Sequence, residues 1–171
     1  MYMDGQELVR KKCKRLNIPF HAHELTFSCY KGIPLFRSEL FCSFFANAIE
    51  FSKDKYNFDI WAYVIMPEHV HLLLYPKDKE YSISNILKSF KQSTSRKAIN
   101  WLKDNDQEFL KKLAVGQKHQ KYRFWQDGGG YDRNIISYKA ARNSVNYIHL
   151  NPVRRKLVEN PRLWEYSSFI Q

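Results

Sequence analysis

The chain has 171 residues, 44% hydrophobic and 26% charged, proportions that exclude a wholly disordered polypeptide and suit one domain with a sizeable core. Lysine and arginine number 28 against 17 acidic residues, and the resulting net charge of +11 points to nucleic acid first and an anionic membrane surface second. Cys13, Cys29 and Cys42 are odd in number and widely spaced, which excludes a disulfide framework; no apolar run nears the ~20 residues of a membrane span and no signal-peptide core is present, so a cytoplasmic protein is expected.

No repeat or linker divides the sequence, so a single domain is expected over 1–171, with 1–19 as a basic arm (Arg10, Lys11, Lys12, Lys14, Arg15) and 152–171 as a tail packing on the domain. Residues 21–30, with Leu25 and Phe27 on one face, read as a first strand. From Ser38, a good N-cap, the spacing of Leu40, Phe41, Phe44, Phe45 and Ala48 predicts a helix. Residues 58–66 form an apolar run suited to a central strand ended by Pro67, and 69–75 a second strand of the same hairpin. The clearest helix is 82–104, with Ile83, Ile86, Leu87, Phe90 and Trp101 on one face and Ser84, Lys88, Lys91, Gln92 and Ser95 opposite. Residues 105–121 are polar and basic around a short amphipathic piece at 109–113. A short strand is expected at 123–126, a tight turn at 128–130, and a helix over 134–151 stopped by Pro152. The order β-α-β-β-α-β-α predicts an α+β, ferredoxin-like antiparallel sheet with helices on one face.

Two patterns could carry chemistry. In His69-Val70-His71, residues two apart on a strand share a face, so both imidazoles can meet one ion while Val70 faces the core. Two ligands leave an open site, as catalysis needs. His21-Ala22-His23 has the same spacing, so spacing alone does not tell the pairs apart. The second pattern is Tyr147 and Asn151, one turn apart on a helix face shared with the small or polar Ala140, Asn143 and Ser144, away from the apolar stripe Ala141, Val145, Ile148. On helix geometry alone an ordinary surface tyrosine is the plainer alternative. Only about one free tyrosine in a thousand is ionised at pH 7, so a nucleophilic phenol needs a metal to offset developing charge. Two imidazoles and the Asn151 carboxamide would make such a site, for Mg²⁺ or Mn²⁺, and together with Tyr147 they suggest phosphodiester transesterification.

The stretches MPEHVHLLL, FWQDGGGYDRNI, NYIHLNPVRRKLV and NPRLWEYSS, in this order, resemble the single-tyrosine transposases of the HUH superfamily, and most of all the REP-associated tyrosine transposases. The resemblance runs from about His21 to Ser168. It implies a ferredoxin-like fold with the catalytic tyrosine, Tyr147, on the C-terminal helix, and His69, His71 and Asn151 as metal ligands. The implied activity is metal-dependent cleavage and rejoining of single-stranded DNA beside a hairpin, through a 5′-phosphotyrosine with a free 3′-hydroxyl. Glu68 stands where many relatives have Asn, and Lys156 where Gly is common; neither removes a reacting group. His21 and His23 match no family role and are assigned to the first strand.

Basic residues cluster as Lys88, Lys91 and Arg96 on the long helix, as Lys118, Lys121 and Arg123, and as Arg154, Arg155 and Lys156 after the Tyr147 helix. Beside a phosphate-transfer site they are expected to contact single-stranded or hairpin DNA, with Lys88, Lys91, Arg96, Lys118, Arg123, Arg154 and Arg155 as the named candidates. No membrane partner is expected, and pairing as a homodimer stays open. The alternatives from other classes are a non-catalytic single-strand-binding module, which needs no metal, and a water-activating metal hydrolase, in which Tyr147 is dispensable.

Overall fold

The computed structural model describes residues 15–117, 120–128 and 130–169. The basic cluster before Arg15, together with Cys13 and Lys118, lies outside them. In chain order the elements are β1 (Ala22–Ser28), α1 (Glu39–Tyr56), β2 (Phe58–Ile65), β3 (His69–Pro76), α2 (Ile83–Asn105), α3 (Gln107–Lys112), β4 (Ala114–Gln117), β5 (Gln120–Tyr122), β6 (Tyr131–Ile135) and α4 (Tyr138–Arg154). The main sheet has the order β2-β3-β1-β6 and every pairing is antiparallel. Two interleaved crossovers, β1-α1-β2 around β3 and β3-α2-β6 around β1, give the ferredoxin-like topology expected from the sequence. β4 and β5 form a separate two-stranded hairpin.

Strand alternation divides the sheet into two faces. Leu25 and Phe27 of β1 and Val70, Leu72 and Leu74 of β3 face α1 and α2, where they meet Phe41, Phe45, Ile86 and Phe90 in the main core. Each such side chain, fully buried, contributes ~1.5–3 kcal/mol. The opposite parity, Ala22, Ala62, Val64, Leu73 and Ile135, packs under Ile148 of α4 in a smaller cluster. Helices α1 and α2 thus lie on one face as expected, whereas α4 crosses the other and makes the sheet the middle of three layers. A strand buried on both faces cannot be told from one buried on a single face by apolar content alone, which is why β3 does not announce this second layer.

The last sheet strand is not 123–126 but β6, eight residues beyond where the short strand was expected to begin. Phe124 and Trp125 look strand-like because both rings are in the core: Phe124 packs edge-on against Phe36 and Phe41 at 5.7 and 6.0 Å, and Trp125 makes a single bridge to Cys29. Accordingly the final helix starts at Tyr138, not 134, with the Ser137 side chain accepting from Ala140 N at 3.2 Å. It passes through Pro152 and ends at Arg154; near a C-terminus the proline costs one backbone hydrogen bond rather than a helix. Gly130 comes so close to β1 that a Cβ there would sit 2.2 Å from the Thr26 carbonyl oxygen, at φ +66°. Beyond α4, Trp164 donates to Ile65 O at 3.0 Å, and Tyr166 and Ser168 pair with the exposed edge of β2, which blunts that edge.

Candidate active site

His69 and His71 project from β3 to the α4 side, and Asn151 reaches them from α4. The two Nε2 atoms are 3.0 Å apart, and Asn151 Nδ2 is 3.0 Å from His71 Nε2. All three side chains are buried. Each imidazole is held by its far nitrogen: His71 Nδ1 lies 2.8 Å from Thr26 Oγ1, directly across the β1–β3 pairing, and His69 Nδ1 lies 3.0 Å from Glu68 Oε1. Arg155 donates to the same Glu68 oxygen at 2.8 Å. Burial pushes His71 down to about 4, helped by its neighbours His69 and Arg155, and burial also lowers His69 in spite of Glu68. Burial alone would raise the Glu68 carboxyl, but His69 and Arg155 outweigh it and hold it below the ordinary carboxylate range. At neutral pH both rings are therefore neutral.

The donor set fits a divalent cation. In the tautomer that turns each Nδ1–H toward its oxygen, both Nε2 atoms are acceptors, facing one another with no proton to share. A cation resolves that conflict, and two ligands ~2.1 Å from one ion at right angles are themselves ~3.0 Å apart. The carboxylate–histidine and hydroxyl–histidine contacts are the outer partners that orient metal-ligating imidazoles. Asn151 carries an acceptor oxygen on the same carboxamide whose nitrogen faces His71. Among the described residues no three His, Cys, Asp or Glu side chains gather as a metal cluster, so any ion here depends on the amide and on ligands from outside the chain.

Tyr147 stands one turn before Asn151, 38% exposed, its ring edge-on to His71 at 5.4 Å between centroids. The Arg154 guanidinium carbon lies 5.1 Å from the Tyr147 ring centroid. The phenol opens into a cleft of about 500 Å³ lined by Glu24, Thr26, His71, Tyr131, Arg133, Asn143 and Ser144. Tyr147 thus sits at the margin of the buried side of α4, where Ser144, Ile148 and Asn151 are inside. The other H-x-H pair goes elsewhere. His23 faces the α2 side, fully buried between Asp132 Oδ1 at 2.7 Å and the Tyr81 hydroxyl at 2.8 Å, and His21 precedes β1. His23 is a structural residue.

The predicted DNA contacts separate into two groups. Arg154 and Arg155 adjoin the site itself. Lys91, Arg96 and Arg123 line a second groove of about 370 Å³ with Gln92, Ser95 and Trp125, across the sheet end from α4. Lys88 is exposed on α2 but outside that groove, and Lys118 is outside the described residues. A cavity of about 210 Å³ lined by Gln126, Asp127, Gly128 and Gly130, which shares Thr26 and Tyr131 with the Tyr147 cleft and Lys91 with the basic groove, links the two. Sequence reasoning missed Thr26, Glu24 and Arg133. Their partners are 45 and 109 positions away in the chain, and only the β1–β3–β6 register brings them together.

A membrane-crossing role finds no support among the described helices, none of which is long and apolar enough to span a bilayer. Comparison with known proteins places the chain more closely. A REP-associated tyrosine transposase described from Haemophilus influenzae is 28% identical over 125 residues, which cover 73% of this chain and 66% of that protein, just under two thirds of its length. Among solved structures, a REP-associated tyrosine transposase bound to a REP hairpin superposes with a TM-score of 0.74 at 20% identity, covering 94% of this chain and 84% of the other, which shows a shared fold. A protein of Deinococcus radiodurans described as a transposase reaches a TM-score of 0.49 at 15% identity, covering 87% of this chain and 97% of its own. The family described as "Transposase IS200 like" matches residues 20–151, a span that contains the paired histidines, Tyr147 and Asn151. The chain belongs to the IS200-like transposase family.

Proposed function

We propose that the protein cleaves and rejoins single-stranded DNA beside hairpin, REP-like sequences, with Tyr147 as the nucleophile and a divalent ion, Mg²⁺ or Mn²⁺, held by His69, His71 and Asn151. The observation that carries the reading is the convergence of Tyr147, from α4, on the buried imidazole pair of β3, in a cleft open to solvent. The Tyr147 oxygen bonds to phosphorus as the P–O3′ bond breaks, and the phenolic proton is taken up overall by the departing 3′-oxygen. One phosphodiester becomes another, so rejoining needs no nucleotide energy source. The ion would supply Lewis-acid stabilisation of charge on the phosphate. Thr26 and Glu68 hold the two rings, Arg155 holds Glu68, and the Lys91–Arg96–Arg123 groove receives the strand beyond the cleft.

Tyr147→Phe should abolish the covalent protein–DNA adduct on a denaturing gel while leaving hairpin binding within about threefold, because it removes one oxygen from a half-exposed side chain. EDTA should stop adduct formation, and Mn²⁺ should restore it. An adduct that persists in Tyr147→Phe would move the nucleophile elsewhere; binding with no metal-dependent cleavage under any condition would make the protein a non-catalytic binding module.

A further inference from the structure

Among the described residues that line the Tyr147 cleft, Arg133 is the one cation, and a buried carboxylate fixes it in place. It lies on β6, directly opposite Glu24 in the β1–β6 pairing, and both line the cleft with Tyr147. Glu24 is only 7% exposed. Its Oε2 accepts from Arg133 Nη2 at 2.6 Å and from the Ser144 hydroxyl at 2.6 Å. Arg133 Nη2 is also 3.2 Å from Ser144 Oγ. Ser144 is one turn from Tyr147 on α4, so this junction ties the guanidinium to the helix that carries the phenol.

A carboxylate buried for packing alone would be surrounded by donors as buried as itself. Here the arginine side chain stays 49% exposed while its partner is inside. The contacts to Glu24 and Ser144 both use Nη2, which leaves the donors of Nη1 and Nε for a ligand of the cleft that Arg133 lines. A guanidinium anchored by one corner and open along the rest is a preorganised phosphate fork: its geometry suits two oxygens of a phosphodiester and little reorganisation is needed when charge develops.

We infer that Arg133, positioned by Glu24, binds the non-bridging oxygens of the phosphodiester that Tyr147 attacks. The inference rests on the transesterification reading, and it gives a role to a residue that lies in the FWQDGGGYDRNI stretch but outside every basic cluster named from the sequence.

The test separates the two. The probe is a hairpin-tailed single strand recovered from a random-flank library by adduct formation with the wild-type chain, then remade with a neutral methylphosphonate at the scissile position. Arg133→Gln should slow adduct formation on the native phosphate by about a hundredfold, in line with loss of one preorganised donor. On the methylphosphonate, which has no charge for the fork to balance, the same substitution should cost less than about threefold, as a coupled pair requires. An equal loss on both substrates would make Arg133 merely structural and overturn the inference while sparing the reading. A library that yields no adduct with the wild-type chain would overturn both. Because Arg133→Gln leaves Glu24 buried without its cation, Glu24→Gln/Arg133→Gln restores a neutral hydrogen-bonded pair; it should melt like the wild type and show the same substrate-dependent loss. Glu24→Ala, which frees the guanidinium, should shrink the difference between the two substrates; an undiminished difference would strip Glu24 of the positioning role.

Discussion

Thr26→Val tests the metal reading at one atom. Valine keeps nearly the shape of threonine and suits a strand, but it removes the Oγ1 that lies 2.8 Å from His71 Nδ1. With His71 buried, its Nδ1 would be left unpaired, at a cost of ~1–3 kcal/mol. Loss of an outer partner typically lowers metal affinity ~10–100-fold, and at ~1.4 kcal/mol per tenfold the two estimates describe the same effect. The assay is calorimetric titration of Mn²⁺ into the apo chain at pH 7.5, with the melting temperature followed as metal is added. Thr26→Ser keeps the hydroxyl and should bind Mn²⁺ within about threefold of the wild type. The reasoning is refuted if Thr26→Val keeps wild-type affinity, or if Thr26→Ser falls as far as Thr26→Val, since then the methyl group and not the hydroxyl would matter.

Three other predictions follow from local contacts and burial. Gly130→Ala forces a Cβ to within 2.2 Å of Thr26 O at φ +66°; the left-handed backbone alone costs ~1–2 kcal/mol, so the melting temperature should drop by at least about 2 °C, and an unchanged value would contradict the close approach. Lys91, whose ammonium lies over the Phe27 and Trp125 rings at 5.1 and 5.4 Å, is pushed down to about 8 by burial, with Arg15 adding to the shift and Cys29 and Asp127 opposing it. Its charge is then lost between pH 7 and 9, and single-strand affinity should fall over that interval in the wild type but stay flat in Lys91→Gln, whose log–log salt slope should also be shallower by ~0.7; equal pH profiles would remove Lys91 from the interface. Burial raises both the Cys29 and the Cys42 thiols, Cys42 to about 12. A folded pKa above the unfolded one stabilises below the unfolded value, near 9, and that contribution disappears as pH rises past it. Peptide mapping should find both cysteines unmodified by iodoacetamide at pH 8 until urea unfolds the chain, and rapid native labelling would contradict their burial.

What the sequence makes legible is what repeats locally. The two-residue period of β3 fixes the shared face of His69 and His71, and the helical period of α4 fixes that of Tyr147 and Asn151, so both halves of the site can be found without knowing how they meet. The strand β6 is hidden because Tyr-Asp-Arg-Asn-Ile has one buried apolar residue, Ile135; it is a strand because β1 pairs with it and because the Asp132 Oδ1 atom meets His23 on that neighbour. The segment 123–126 looks more strand-like than β6 for the opposite reason, its aromatic rings being core material on an irregular backbone. Arg133 was invisible for the same cause as β6: an arginine among polar residues has no local sign of a buried partner.

The two faces of the sheet explain why the histidines can be buried at all. β3 is covered on both sides, and Val70, Leu72 and Leu74 take the face where they join the apolar cluster of α1 and α2. An imidazole at those positions would need a polar partner of its own, as His23 has in Asp132 and Tyr81. On the other face α4 is held by Ile148 against Val64 and Leu73, and by the Ser144–Glu24 contact; the same packing that closes the layer brings Asn151 to His71 and leaves Tyr147 at the rim. The position of the phenol is thus set by a helix seated on a sheet, not by a loop. The cleft that Tyr131 and Tyr147 line therefore needs no rearrangement of the chain to exist, and through Thr26 and Tyr131 it adjoins the cavity that reaches Lys91.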